Sequence, residues 1–253
     1  MNSFRIDELG GAVRYLDIPG GLPLVFLHGL GSASSFAFPG IAVHERLRSY
    51  RSILIDLLGF GYSDRPPGFS YSMDRQADVV ARLLAYLEVE DAVLVGHSMG
   101  GAIAILVAAA CPKRIGHLVL AEANLDPEPG IVSGIIARWA EEEYVASRHA
   151  NFVERMHAAG FGDYARTVEA AAPVAMHRSA VDLIADRTPT FRELLYSLPI
   201  PTVSLISEES RADPDVECLP QRGIPVAIIP GSGHDMMTDN LAGLAEAIAD
   251  AIG

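Results

Sequence analysis

Short aliphatic or β-branched runs alternate with longer stretches of helical periodicity through most of the chain. That is the pattern of a mostly parallel sheet covered by helices. The runs that read as strands are Val13–Leu16, Leu24–Leu27, Ser52–Ile55, Ala92–Val95, Leu118–Ala121, Thr202–Ile206 and Val226–Ile229. Several are apolar at every position, as strands buried on both faces should be. Pro19-Gly20-Gly21 lies between the first two runs and is turn chemistry, so an antiparallel start is expected. Asp74–Leu87 carries Ala77, Val80, Ala81, Leu84 and Leu87 at helical spacing, with Asp74 placed to cap the start. Asn240–Ile252 sets Leu241, Leu244, Ala245 and Ile248 on one face of a final helix.

From residue 125 to 198 the alternation stops. Helical stretches at Ile131–Arg148, Asn151–Ala159 and Val174–Asp186 follow one another with no convincing strand between them, punctuated by Gly130, Gly160 and Pro173. A helical insertion of this size between two core strands reads as a cap or lid. The expected organisation is a core of residues 1–124 and 199–253 with a cap of residues 125–198.

Composition narrows the class. At 253 residues, half of them hydrophobic, the chain can fill one large core. A formal net charge of -13 disfavours nucleic-acid backbones and anionic membrane surfaces as partners. The opening residues Met1 to Asp7 lack the apolar region of a signal peptide, and the run Ala102 to Cys111 is too short to span a bilayer. Cys111 and Cys218, the only cysteines, have no framework spacing and suit a reducing compartment. A cytoplasmic protein with a small-molecule substrate is the expectation.

The chemistry concentrates in three places. Gly96-His97-Ser98-Met99-Gly100-Gly101 follows the run Ala92–Val95 and precedes the helical run Ala102–Ala110. This is the context of a G-x-S-x-G nucleophile elbow, in which glycines admit a tight turn and the following helix favours negative charge at the serine. Serine needs a base, and His234 in Gly231-Ser232-Gly233-His234-Asp235 follows the last strand. Parallel strands present their C-terminal ends together, so Ser98 and His234 are expected at one sheet edge. His28-Gly29 also follows a strand directly, which makes the backbone N–H groups of Leu30 and Met99 the expected oxyanion-hole donors. His28 itself reads as an orienting residue rather than a base.

These pieces, with Asp56-Leu57-Leu58-Gly59-Phe60-Gly61-Tyr62-Ser63-Asp64, resemble the α/β-hydrolase superfamily over nearly the whole chain. The resemblance implies an eight-stranded, mostly parallel sheet flanked by helices, a helical cap after the sixth strand, and no cofactor or metal. It also implies a triad acid, usually an Asp a few residues past the seventh strand. In this chain Ser210 stands there, with Glu208, Glu209 and Asp213 nearby. Some members carry the acid after the sixth strand, where this chain has Glu122 at the end of Leu118–Ala121. Glu122 is the preferred acid, and Asp213 and Glu208 are the alternatives.

A serine nucleophile favours acyl chemistry over the dehalogenases and epoxide hydrolases of this fold, which use Asp at the elbow. The expected activity is carboxylic ester hydrolysis through an acyl-enzyme on a small-to-medium apolar substrate. The alternatives are a carbon–carbon bond hydrolase or lactonase, or a binding protein that keeps the fold without turnover. Apolar cap residues Ile135, Ile136, Trp139, Phe152, Met156 and Phe161 are candidates for the pocket wall, with His28 as a further candidate; each also fits as core packing.

Overall fold

The computed structural model describes all 253 residues. Its strands are β1 (Asn2–Ile6), β2 (Gly11–Ile18), β3 (Pro23–Leu27), β4 (Arg51–Asp56), β5 (Ala92–His97), β6 (Ile115–Ala121), β7 (Thr202–Ser207) and β8 (Val226–Ile229). They form one sheet of eight in the order β1-β2-β4-β3-β5-β6-β7-β8. Strand β2 runs antiparallel to β1 and β4, and every other pairing is parallel. The expected antiparallel start is present with different partners. The Pro19-Gly20-Gly21 turn does not close a hairpin but delivers the chain to β3, between β4 and β5. Strand β1 escapes the apolar pattern because it is an edge strand whose first residues are exposed, and only Ile6 is buried.

Alternation along the strands builds two layers. Leu24, Phe26, Leu54, Val93, Val95 and Val119 point to one face of the sheet, and Val25, Leu27, Ile53, Ile55, Leu94 and Leu118 to the other. Helices α1 (Met73–Tyr86) and α2 (Met99–Ala110) cover the second face. After β6 come α3 (Ile131–Ala137), α4 (His149–Ala158), α5 (Gly162–Ala170), α6 (Pro173–Leu183) and α7 (Phe191–Ser197). Helix α8 (Leu241–Ile252) covers the first face, and Asn240 caps it by accepting from the Gly243 N–H at 2.9 Å.

Two sequence expectations need correction. Asp74 does not cap α1: Ser72 holds the cap position, and Asp74 pairs with Arg187 at 3.3 Å. The stretch Ile131–Arg148 is not one helix; it breaks after α3 and resumes through a wider π-helical turn at Tyr144–Arg148. Helices α5 and α7 were not legible as apolar stripes, although α7 opens with a capping box from Thr190 to Glu193.

The helical segment between β6 and β7 has two layers. Its inner helices are bonded to the sheet's loops: Ala172 N–H donates to the Gly59 carbonyl at 2.8 Å and Ser179 Oγ to the Tyr71 carbonyl at 2.9 Å. Asp182 accepts from the Met73 N–H at 2.8 Å. Residues 131–160 make no hydrogen bond or ion pair to residues 1–124 or 199–253, and hold on through neighbours such as Arg178, which pairs with Glu141 at 2.7 Å. No helix is long and apolar enough to cross a membrane.

Candidate active site

Strand β5 ends at His97, α2 begins at Met99, and Ser98 between them sits at φ 52°, ψ -121°. A non-glycine residue in that region is strained and persists only where its surroundings hold it. Two neighbours make the turn possible. A Cβ at Gly96 would strike the backbone of Gly100, and one at Gly100 would strike the Leu27 and His28 carbonyls. The Ser98 N–H donates to the Ala121 carbonyl at 2.9 Å, which ties the elbow to the end of β6.

Glu122 leaves that strand end at φ 48° and turns its carboxylate across the end of β7. One oxygen accepts from the Ser207 N–H at 2.7 Å; the other accepts from Ser210 Oγ at 3.1 Å and lies 3.4 Å from His234 Nδ1. Ser210, standing where the resemblance expects an Asp, thus serves as a donor to the Glu that reaches the histidine from one strand earlier. Burial raises the Glu122 pKa, but the bonds from His234 and Ser207 outweigh it and bring it to about 2. Burial lowers the His234 pKa, yet the Glu122 bond and charge prevail and hold it above the ordinary imidazole value. The alternative acids are occupied elsewhere. Glu208 accepts from the Gly231 N–H at 2.7 Å, and Asp213 accepts from the Asp215 N–H at 2.8 Å.

The Ser98 hydroxyl donates to Asn124 Oδ1 at 3.3 Å, and no hydrogen bond joins Ser98 to His234. Asn124 was not singled out in the sequence, and its position two residues past Glu122 was the available signal. His97 was also missed. Its Nε2–H donates to the His234 carbonyl at 2.9 Å, with ring centroids 4.9 Å apart. Burial, helped by the charge of His234, lowers its pKa to about 3, so it is a neutral brace behind the histidine loop.

The loop after β3, where the sequence places one oxyanion donor, is organised from beneath by His28. Its Nε2 accepts from the Leu57 N–H at 3.1 Å, so the proton sits on Nδ1, which donates to the Gly29 carbonyl at 2.8 Å. The same carbonyl accepts from the Ser32 N–H at 3.1 Å. A trans peptide points its N–H opposite to its carbonyl, so these two bonds aim the Leu30 N–H away from the core. That N–H has no acceptor within the chain, and the Met99 N–H, first in α2, has no intrahelical partner. The loop lies close to the elbow: a Cβ on Gly29 would be 2.9 Å from His97 Nδ1 and 3.2 Å from Ser98 Cβ.

His28 is fully buried with both nitrogens committed, so it is a support and not a pocket wall. Trp139 lines a separate cavity of about 360 Å³ with Arg138, Tyr144, Arg148, Phe152 and Arg155, none of them part of the elbow. Met156 packs on the main core, and Phe161 is 57% exposed. The residues that do meet the loop after β3 from the β6–β7 segment are Tyr164, Val168 and Met176, which crowd Gly31. No group of three His, Cys, Asp or Glu side chains is arranged to hold a metal ion.

A serine elbow, a histidine after the last strand and a strand-end carboxylate on an eight-stranded, mostly parallel sheet define the architecture of an α/β hydrolase. The family model described as "alpha/beta hydrolase fold" matches residues 23–202, and the chain belongs to that family. Among curated relatives, it is 39% identical over 124 residues to a 2-hydroxymuconate semialdehyde hydrolase of Pseudomonas sp. (strain CF600), covering 49% of this chain and 44% of that protein. It is 31% identical over 157 residues to haloalkane dehalogenase 2 of Mycobacterium tuberculosis (strain ATCC 25618 / H37Rv), covering 61% and 54%. The matches thus span about half the length of these relatives. Among solved structures, a thermophilic esterase from Thermogutta terrifontis superposes with a TM-score of 0.79 at 24% identity, covering 95% of this chain and 92% of that one. At that identity the likeness is one of fold.

Proposed function

We propose that the protein is a serine hydrolase that cleaves a carboxylic ester through an acyl-enzyme. The observation that carries this reading is the strained Ser98 elbow beside a His234–Glu122 pair 3.4 Å apart at the same sheet edge. His234 Nε2 takes the Ser98 proton as Oγ bonds to the ester carbon, while Glu122 holds Nδ1–H and stabilises the imidazolium. The carbonyl oxygen gathers charge against the N–H groups of Leu30 and Met99. The alcohol leaves with the proton from His234; water, deprotonated by the same histidine, then releases the acid and restores Ser98. Resting catalytic hydrogen bonds are often loose, and the chain reaches this sequence when the Ser98 hydroxyl turns from Asn124 to His234.

Residues 125–198 act as a cap over a small-molecule substrate in this reading, and no cofactor or metal takes part. Two free thiols, Cys111 and Cys218, support a reducing compartment such as the cytoplasm. A second reading, carbon–carbon bond hydrolysis, draws support from the 2-hydroxymuconate semialdehyde hydrolase relative. Against it stands Asp235, a partly buried carboxylate next to His234 with no Lys or Arg partner, which in its ionised form would repel an anionic substrate. A fluorophosphonate probe is expected to label the protein but not Ser98→Ala. A panel of p-nitrophenyl esters, lactones and vinylogous diketones is expected to favour the esters. Absence of both labelling and ester turnover would sink the proposal, and preferential diketone cleavage would install the second reading.

A further inference from the structure

The oxyanion loop has two peptide units, and they are held from opposite sides. The Gly29–Leu30 unit is held from the core by His28 and from within the loop by the Ser32 N–H. The next unit, Leu30–Gly31, has a carbonyl whose single donor is Tyr164 Oη on α5, at 2.9 Å. Gly31 sits at φ 77°, in the left-handed region, and without a side chain it offers little resistance to rotation. Contact with the helices there is close: a Cβ at Gly31 would lie 2.8 Å from Tyr164 Oη, 2.8 Å from Val168 Cγ2 and 3.1 Å from Met176 Cε.

We infer that Tyr164 is a positioning residue, whose hydrogen bond to the Leu30 carbonyl completes the oxyanion loop from the cap, so that cap docking and oxyanion binding are coupled. The inference rests on the serine-hydrolase reading for its catalytic consequence, though not for the coupling itself. The Leu30 N–H lies in the Gly29–Leu30 plane, and its direction is set by the bonds that the Gly29 carbonyl accepts from His28 and Ser32. One of the two bonds on that plane comes from Ser32, on the far side of the Leu30–Gly31 unit, so an outer unit released from Tyr164 can rotate and slacken the Ser32 bond that helps to aim the N–H. A partly buried phenol with one acceptor is a strong constraint, because breaking that bond strands the carbonyl of the buried Leu30. Burial also pushes the Tyr164 pKa well up, so it remains a neutral donor throughout the working range. Loosening of α5 would therefore disable the oxyanion hole without disturbing Ser98, His234 or Glu122.

Tyr164→Phe keeps the ring and removes the donor. The expected result is a roughly tenfold fall in kcat, a part of the loss seen when an oxyanion donor itself is removed. KM should stay within about twofold and the pH midpoint should not move, since neither uniform binding nor the base is touched. Fluorophosphonate inactivation should slow by the same factor. Hydrogen exchange supplies a readout independent of turnover: the Ser32 amide, bonded to the Gly29 carbonyl, should exchange faster in the variant while α5 keeps its protection. Unchanged kcat with unchanged Ser32 exchange would overturn the inference, as would a kcat loss accompanied by equal loss of α5 protection. A wild-type protein with no hydrolase activity, yet with faster Ser32 exchange in Tyr164→Phe, would remove the proposed function and leave the coupling standing.

Discussion

The sheet edge and the β6–β7 helices are held by different physics. At the sheet edge, Ser98 and Glu122 occupy positive-φ positions at 52° and 48°, and short hydrogen bonds from Ser207, Ser210 and the strand ladder surround them. Such backbone strain costs on the order of 1–3 kcal/mol per residue and survives only where neighbours over-determine it. The helices instead meet the core through separate bonds made by Tyr164, Ala172, Ser179 and Asp182, and through the ion pairs Arg187–Asp74 and Arg192–Asp215. A geometry fixed by strain is suited to holding reacting groups still. An attachment made of many separable bonds can be altered one bond at a time, with graded effects.

The largest test of that contrast lies on the carboxylate. Glu122→Gln preserves shape and removes the charge that holds the His234 tautomer, so kcat is expected to fall by about 10²- to 10⁴-fold. Asp213→Asn and Glu208→Gln should stay within about twofold, because those side chains hold turns and not the histidine. Steady-state kinetics on the three variants decide the matter. If Asp213→Asn alone loses activity by orders of magnitude, the acid has been misplaced and the strain at Glu122 needs another explanation.

The same pair sets a pH dependence. Glu122 holds the His234 pKa above its ordinary 6.5, so kcat/KM should rise with pH through a midpoint higher than 6.5. Without the Glu122 charge, in Glu122→Gln, the residual activity should show a lower midpoint. A midpoint shared by both proteins would mean that His234 does not feel Glu122 in solution.

Stability should carry a different signature on the acid side. His97 is held neutral to about pH 3, whereas the unfolded chain protonates it near 6.5. Below 6.5 the unfolded state therefore binds the extra proton, and stability falls as the pH drops towards 3. Glu122, with its pKa lowered to about 2 from 4.5, adds a loss of the same sign below 4.5. Between pH 6.5 and 4.5 the His97 contribution stands apart from that of Glu122. Denaturant melts across that window are expected to show a shallower decline for His97→Asn than for the wild type, by up to about 1.4 kcal/mol per pH unit. Parallel curves would place the acid sensitivity elsewhere, with His149, whose pKa burial also lowers, as the next residue to examine.

The two regions were also unequally readable in the sequence. Strands β2 to β8 were legible as apolar runs, and the elbow, Glu122 and the His234 loop because each follows such a run, where parallel topology forces one common edge. The departure at Ser210 directed attention to Glu122, which stands at the other acid placement that the family resemblance implies. Tyr164, Asn124 and His97 were not legible, because their roles come from contacts across 134, 26 and 137 residues of chain. No periodicity encodes such contacts. Helix α5 is short and opens on Gly162 and Asp163 with no capping side chain, and it is held in part by Tyr164 itself, so neither the helix nor its key residue stood out.

The smallest expected effect probes the helices' own attachment. Arg192 on α7 pairs with Asp126 at the start of the segment and with Asp215 after β7, and it donates to Tyr196 Oη at 3.2 Å. Arg148, in the outer layer, pairs with Glu143 and stacks 4.0 Å from the Trp139 ring centre, with no link to the core. Arg192→Met would leave two carboxylates near one another without a cation, and should cost about 1–3 kcal/mol of stability, between the values of exposed and buried pairs. Arg148→Met removes a more exposed pair and a cation–π contact, and should cost about 1 kcal/mol or less. Both should leave kcat/KM within about twofold, because neither touches Tyr164 or the sheet edge. The two losses should also respond differently to salt: the Arg148 effect should fade as salt rises, and the Arg192 effect should persist in part, being less exposed. If Arg192→Met instead lowers kcat as far as Tyr164→Phe does, the inner helices hold the oxyanion loop as one unit, and the separable-bond picture gives way to a single cooperative latch.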